Sequence, residues 1–267
     1  LIYLMDYESL SKAMGALEHS YSSFYTLPES VADQLPQFVR DVAAHEFFHI
    51  VTPLSIHSEQ IHNFNYITPE MSRHLWLYEG ITEYNSIHMQ VQQGLYDMET
   101  FLEEIQEKIT NASVYPLVSF TKMSQKILEP EFKDMYRNVY EKGALIGVCL
   151  DLALIKYSKG TLNLAGLLKQ LSHKYGKENA FKDSELIDVI TAMTYPEIGV
   201  FFNRYVQGNE PLPLEEYLSW TGISLRDGGE KRLAMWGNFK LGLNDNNQIL
   251  ALATDNLDDF GTQIGFQ

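Results

Sequence analysis

The sequence predicts a mainly helical α+β fold with strands at its two ends. Between Pro36 and Gly222, apolar residues recur at helical spacing in one segment after another, with turn residues between them. The opening LIYLM, Leu1 to Met5, is a short apolar run suited to a strand. From Gly237 onward, apolar and polar residues alternate around NDNN and DNLDD, which is the period of strands joined by turns.

Each element follows from local signals. Leu1–Met5 reads as the last strand of a sheet whose other strands lie upstream. MGALEH comes next, and YSSFYTLPES is rich in turn and loop residues. A helix is predicted after Pro36, running through QFVRDVAAHEFFHIV until Pro53 stops it. His57 to Thr68 reads as a loop. A second helix is predicted over Pro69 to Gln93, with Thr68 as its cap and Pro69 as its first residue. Further helices are predicted over Asp97–Ile109, Phe132–Tyr157, Leu162–Tyr175, Ser184–Met193, Tyr195–Val206 and Leu214–Trp220. The change of character near Asp227–Gly229 divides a helical domain, residues 1–227, from a β-rich tail, residues 228–267.

Composition narrows the function. The chain has 267 residues, 45% of them hydrophobic, which is ample for a core and unlike a disordered segment. A formal charge of −15 argues against a nucleic-acid partner, since phosphate binding needs a basic surface. The most apolar region, Gly143 to Ile155, is too short to span a bilayer and carries Asp151. With Cys149 as the single cysteine there is no intrachain disulfide. The start at Leu1 rather than Met suggests a processed or trimmed chain, and an exported location is favoured over a cytoplasmic one. Oligomeric state is left open.

The chemistry is concentrated in VAAHEFFHIV. On a helix, His45 and His49 lie one turn apart on one face and can point at one ion, while Glu46 can reach a water on it. Two neutral imidazoles suit Zn²⁺, which lowers the pKa of bound water towards about 7 so that the carboxylate can take its proton. A third ligand is needed. The candidates are His57, His62, His74, His88, Glu59, Glu70, Glu79 and Glu83. Thr52 and Pro53 stand where the H-E-x-x-H-x-x-G pattern would continue, so that pattern fails. Glu79, in the apolar LWLYEGITEY, is the best candidate, because a carboxylate there is costly unless paired. Glu83, one turn on, can accept the Nδ1–H of a ligand histidine.

GALEH, HEFFH, LWLYEGITEY and YEKGALIGVCLDL occur in the order and rough spacing of the glycyl aminopeptidase family, which this chain resembles. The resemblance implies a thermolysin-like gluzincin catalytic domain, one Zn²⁺ per chain and a peptide or protein substrate. It implies that Tyr140 hydrogen-bonds the oxyanion and that Glu18 binds the free α-amino group of the substrate. Gly15 and Ala16 would leave backbone free for an extended substrate. The tail resembles the opening strands of a PDZ domain. Ile50 and Val51 replace the family's usual Trp-Asn pair, and the loop after them has no Lys or Arg, which puts a preference for glycine in doubt. Two other functions use the same residues: a gluzincin endopeptidase, and a non-catalytic peptide-binding protein on the same scaffold.

Overall fold

The structure, a computed structural model, describes residues 2–7, 15–27, 35–226, 228, 239–243 and 249–253. The chain divides into two compact units, Leu1–Leu225 and Arg226–Gln267.

The first unit begins with a three-stranded sheet of β1 (Ile2–Tyr7), β2 (Gly15–Glu18) and β3 (Ser22–Leu27). β3 is central. It pairs in parallel with β1, Ile2 opposite Ser22, and antiparallel with β2, Gly15 opposite Thr26. Among the described residues, the strand LIYLM finds its partner downstream. That partner lies in YSSFYTLPES, where a loop is predicted; Phe24, Tyr25 and Thr26 are strand formers that outweigh the turn signals of the two serines.

The rest of the unit is helical, as predicted. The order is α1 (Leu35–Phe48), α2 (Glu59–His62), α3 (Ile81–Gln92), α4 (Met98–Ser113), α5 (Phe120–Gln125), α6 (Asn138–Tyr157), α7 (Leu164–Lys174), α8 (Leu186–Met193), α9 (Pro196–Phe201) and α10 (Leu214–Ser219). Several starts are fixed by caps: Asp97, Ser119 and Asn163 each accept a backbone N–H from the first turn of α4, α5 and α7. The short helix α2 falls where a loop is predicted, and α5 lies between two predicted helices. α6 is apolar almost all round and is buried along most of its length, with Ala144, Ile146, Cys149, Leu150, Ala153 and Leu154 fully inaccessible. It packs on α3 and α4 and forms the axis of the core.

The predicted helix over Pro69–Gln93 begins later than expected, at Leu75, and opens with a π turn, Trp76–Gly80, in which the Ile81 N–H reaches back five residues to the Trp76 carbonyl. The cause is a long-range anchor. Asp183 accepts hydrogen bonds from the Ser72 hydroxyl at 2.5 Å and the Arg73 backbone N–H at 3.0 Å. Its own carbonyl accepts His74 Nε2–H at 2.6 Å, and Trp76 Nε1–H donates to His74 Nδ1 at 3.0 Å. These bonds hold residues 72–74 in a non-helical conformation.

In the second unit, β4 (Phe239–Leu243) and β5 (Ile249–Ala253) form an antiparallel pair, which agrees with the strands read from the tail. The rest of the tail, and with it the PDZ-like reading, lies outside the described residues, as does Met14 at the start of the GALEH motif. Among the described residues no helix is long and apolar enough to cross a membrane.

Candidate metal centre and cleft

α1 carries His45 and Glu46 on its last turn, and His49 sits one residue past its end. The chain then turns: the Val51 N–H bonds back to the Phe48 carbonyl and Leu54 to His49. That turn brings the Thr52 carbonyl to His49 Nδ1, 2.8 Å away, which leaves His49 Nε2 facing the other ligands. His45 is bracketed by two carboxylates. Its Nδ1 lies 2.8 Å from Glu83 Oε2 and its Nε2 lies 3.3 Å from Glu79 Oε2. His49 Nε2 is 3.7 Å from the same Glu79 oxygen.

The three atoms fit a metal. Ligands about 2 Å from a tetrahedral ion lie roughly 3.3 Å from one another, and His45, His49 and Glu79 offer atoms all within 4.8 Å of each other. Both Nδ1 atoms are already taken by acceptors, the arrangement that fixes the tautomer of a metal-binding histidine. Burial pushes His45 down, but its hydrogen bonds to Glu79 and Glu83 outweigh burial and lift it to about 10. Burial likewise opposes ionisation of Glu83, yet His45 and the Lys108 ammonium bring its carboxyl down to about 2.

Glu46 is differently placed. It is 7% exposed, and its Oε2 has no hydrogen-bond partner. Burial raises its pKa, only partly countered by His49 and His45. Glu18, at the end of β2, brings its carboxylate near Glu46 and His49, so that ligand atoms of the three residues lie within 4.8 Å of one another. The Tyr140 ring, on α6, is centred 5.6 Å from the His45 ring. Burial and the Glu79 charge push the Tyr140 phenol far above its ordinary value, so it stays a donor. A cleft of about 790 Å³ runs past His45, Glu46 and Tyr140; Gly15 and Ala16 of β2 line it together with Phe38. Among the described residues, β2 is an outer strand of its sheet, paired on one side with β3.

Two glycines set the depth of the site. A Cβ on Gly80 would lie 2.5 Å from Gly143 Cα, and one on Gly143 would lie 2.7 Å from Gly80 Cα. The π turn that presents Glu79 and the helix that presents Tyr140 therefore touch backbone to backbone.

The structure thus brings together Gly15, Ala16, Glu18, His45, Glu46, His49, Glu79, Glu83 and Tyr140. The other histidine candidates are engaged elsewhere. His57 contacts the Pro53 carbonyl and His62. His74 belongs to the Asp183 anchor, and His88 stacks on Tyr84. Glu59 and Glu70 line a separate surface hollow. Ile50 and Val51 line a cavity of about 480 Å³ with Met89 and Leu168, and neither lines the cleft. Sequence reasoning misses the Thr52 carbonyl and Lys108, whose Nζ lies 2.5 Å from Glu83 Oε1. A signal for Lys108 was present. It stands on the inner stripe of α4 among Phe101, Ile105, Ile109 and Ala112, where a lysine is out of place unless paired.

Residues 38–146 match the family model described as M61 glycyl aminopeptidase, a stretch that holds all of these groups except Glu18 and its neighbours on β2. The solved structure of an aminopeptidase N family protein from Idiomarina loihiensis is similar at a TM-score of 0.72 and 22% identity, covering 92% of this chain and 43% of that one. At that identity the likeness establishes the α-dominated fold. The chain spans less than half the length of that protein. Comparison with curated proteins gives no match.

Proposed function

From residues 38–146, which match the glycyl aminopeptidase family model, we propose that this protein is a zinc-dependent peptidase that removes residues from the free amino end of peptides. The observation that carries the proposal is the meeting of His45 Nε2, His49 Nε2 and Glu79 Oε2 beside the unpaired, buried Oε2 of Glu46. The donor set suits zinc, which when bound supplies Lewis acidity towards a carbonyl and lowers the pKa of a coordinated water.

The protein groups then divide the work. Glu46 accepts a proton from the attacking water at Oε2 and returns it to the departing amine as the C–N bond breaks. Its raised pKa brings proton uptake and release closer to neutral pH. Tyr140 donates its phenolic O–H to the oxygen on which negative charge develops, a type of interaction that often supplies the largest catalytic term. Glu18 pairs with the ammonium of the substrate's first residue. The outer edge of β2 at Gly15 and Ala16 offers backbone groups to an extended peptide. Glu83 and the Thr52 carbonyl keep the two imidazoles oriented.

Zinc content and cleavage of paired peptides test this. Wild type should hold one zinc per chain and cleave a peptide with a free amino end far faster than its N-acetylated form. Glu46→Gln should keep the zinc and lose about 10²–10⁴-fold in rate. Equal cleavage of the acetylated peptide would instead identify an endopeptidase. Zinc bound without cleavage of any peptide would leave a peptide-binding protein.

A further inference from the structure

We propose that Lys108 is a positioning residue of this centre: it clamps Glu83 against His45 and ties that carboxylate to the helix that presents Tyr140. The inference rests on the zinc reading above and goes beyond it to a residue on a helix that supplies no ligand.

Lys108 sits between two buried acids. Its Nζ lies 2.5 Å from Glu83 Oε1 and 3.5 Å from Glu141 Oε2, and its side chain is 13% exposed. The other Glu83 oxygen lies 2.8 Å from His45 Nδ1. Glu141 follows Tyr140 on α6 and is further held by Arg137 Nε at 3.0 Å and Asn111 Nδ2 at 3.3 Å. A single ammonium therefore links α3, α4 and α6 behind the metal ligands.

The physical need is specific. Glu83 and Glu141 are both withdrawn from water, and their negative charges repel. Without a cation between them, Glu83 would turn away from Glu141 and from its place beside His45, because a buried carboxylate left unpaired is strongly disfavoured. That movement takes the acceptor from His45 Nδ1 and loosens the imidazole. Outer partners of this kind typically tune metal affinity 10–100-fold. An exposed ion pair would be worth little, but this one is enclosed.

Zinc affinity, measured by competition with a chromophoric chelator, is the test. The proteins are wild type, Lys108→Met, Lys108→Arg, Glu83→Gln and the Lys108→Met/Glu83→Gln double variant, each checked for folding by circular dichroism. Lys108→Met should weaken zinc binding about 10–100-fold, and Lys108→Arg, which keeps the charge, should recover most of it. In the Glu83→Gln background, Lys108→Met should add less than about 3-fold, since a residue acting through Glu83 has nothing left to act on. If Lys108→Met fails to fold, Lys108→Gln carries the same comparison. Wild-type zinc affinity in the neutral variant, or fully additive losses in the double variant, would overturn the proposal while leaving the zinc reading intact. A wild-type protein that binds no zinc would overturn both.

Discussion

Replacing Gly143 with alanine puts a methyl group where the π turn and α6 meet. The new carbon would stand 2.7 Å from Gly80 Cα, 3.3 Å from Gly80 N and 3.6 Å from the end of the Phe120 ring. Two non-bonded carbons prefer about 3.5–4.0 Å, so the turn and the helix must part by roughly 0.8 Å. Two energies then compete. Alanine in a helix interior gains about 1 kcal/mol over glycine. Overpacking against backbone, which cannot rotate away, costs about 1–3 kcal/mol. The net expectation is a loss of up to about 2 kcal/mol. The effect on activity should be larger. His45, His49 and Glu79 ride on α1 and the π turn, whereas Tyr140 rides on α6. Separation therefore draws the phenol away from the ligands while the ligand set moves together. Misplacement by about 1 Å can cost about 10²-fold in rate, so kcat should fall about 10–100-fold with zinc affinity little changed. Urea denaturation, steady-state kinetics and chelator competition on one preparation check all three. A variant more stable than wild type that turns over at the wild-type rate would show that helix propensity alone governs the position, and the close-contact reasoning would fail.

Metal-free protein should become less stable as pH rises. The folded-state pKa of His45, about 10, lies above its ordinary value of 6.5, so its contribution is full below about pH 6.5 and is lost as pH passes through 10. Zinc uptake near pH 8 must then displace that proton, which calorimetry in buffers of different ionisation enthalpy will register as proton release. Asp183→Ala strands the buried Ser72 hydroxyl and the partly buried Arg73 N–H. Each lost partner should cost about 1–3 kcal/mol, read as a lower urea midpoint, with weaker zinc binding because the turn carrying Glu79 loses its anchor.

The candidate site is more legible in the sequence than the segments that hold it. His45 and His49 announce themselves because a four-residue spacing on a helix has one geometric meaning. Glu79 and Glu83 are visible for a similar reason: carboxylates in an apolar stretch ask for partners, and both prove to sit on His45. The helical character of the chain was equally open, since its apolar spacing survives packing. What stays hidden depends on distant residues. Thr68, Pro69 and Glu70 carry every local signal of a helix start, yet the chain there follows Asp183, more than a hundred positions away. Ser22 and Ser23 look like a turn until two flanking strands pair with them. Lys108 looks like any surface lysine unless its neighbours on the apolar stripe are counted.

The π turn at Trp76–Gly80 has a consequence for anyone drawing this region as a wheel. A wheel advances about 100° per residue, and a wide turn absorbs one residue more than that arithmetic allows. A plot that runs unbroken from Leu75 to Gln92 will therefore rotate Trp76 and Leu77 by about one such step relative to Tyr84 and Ile87. Deleting a single residue from the turn would relax it to ordinary pitch and leave the segments on either side in their present phase, so the extra residue changes how the turn presents its own side chains, Glu79 among them, and not the helix that follows.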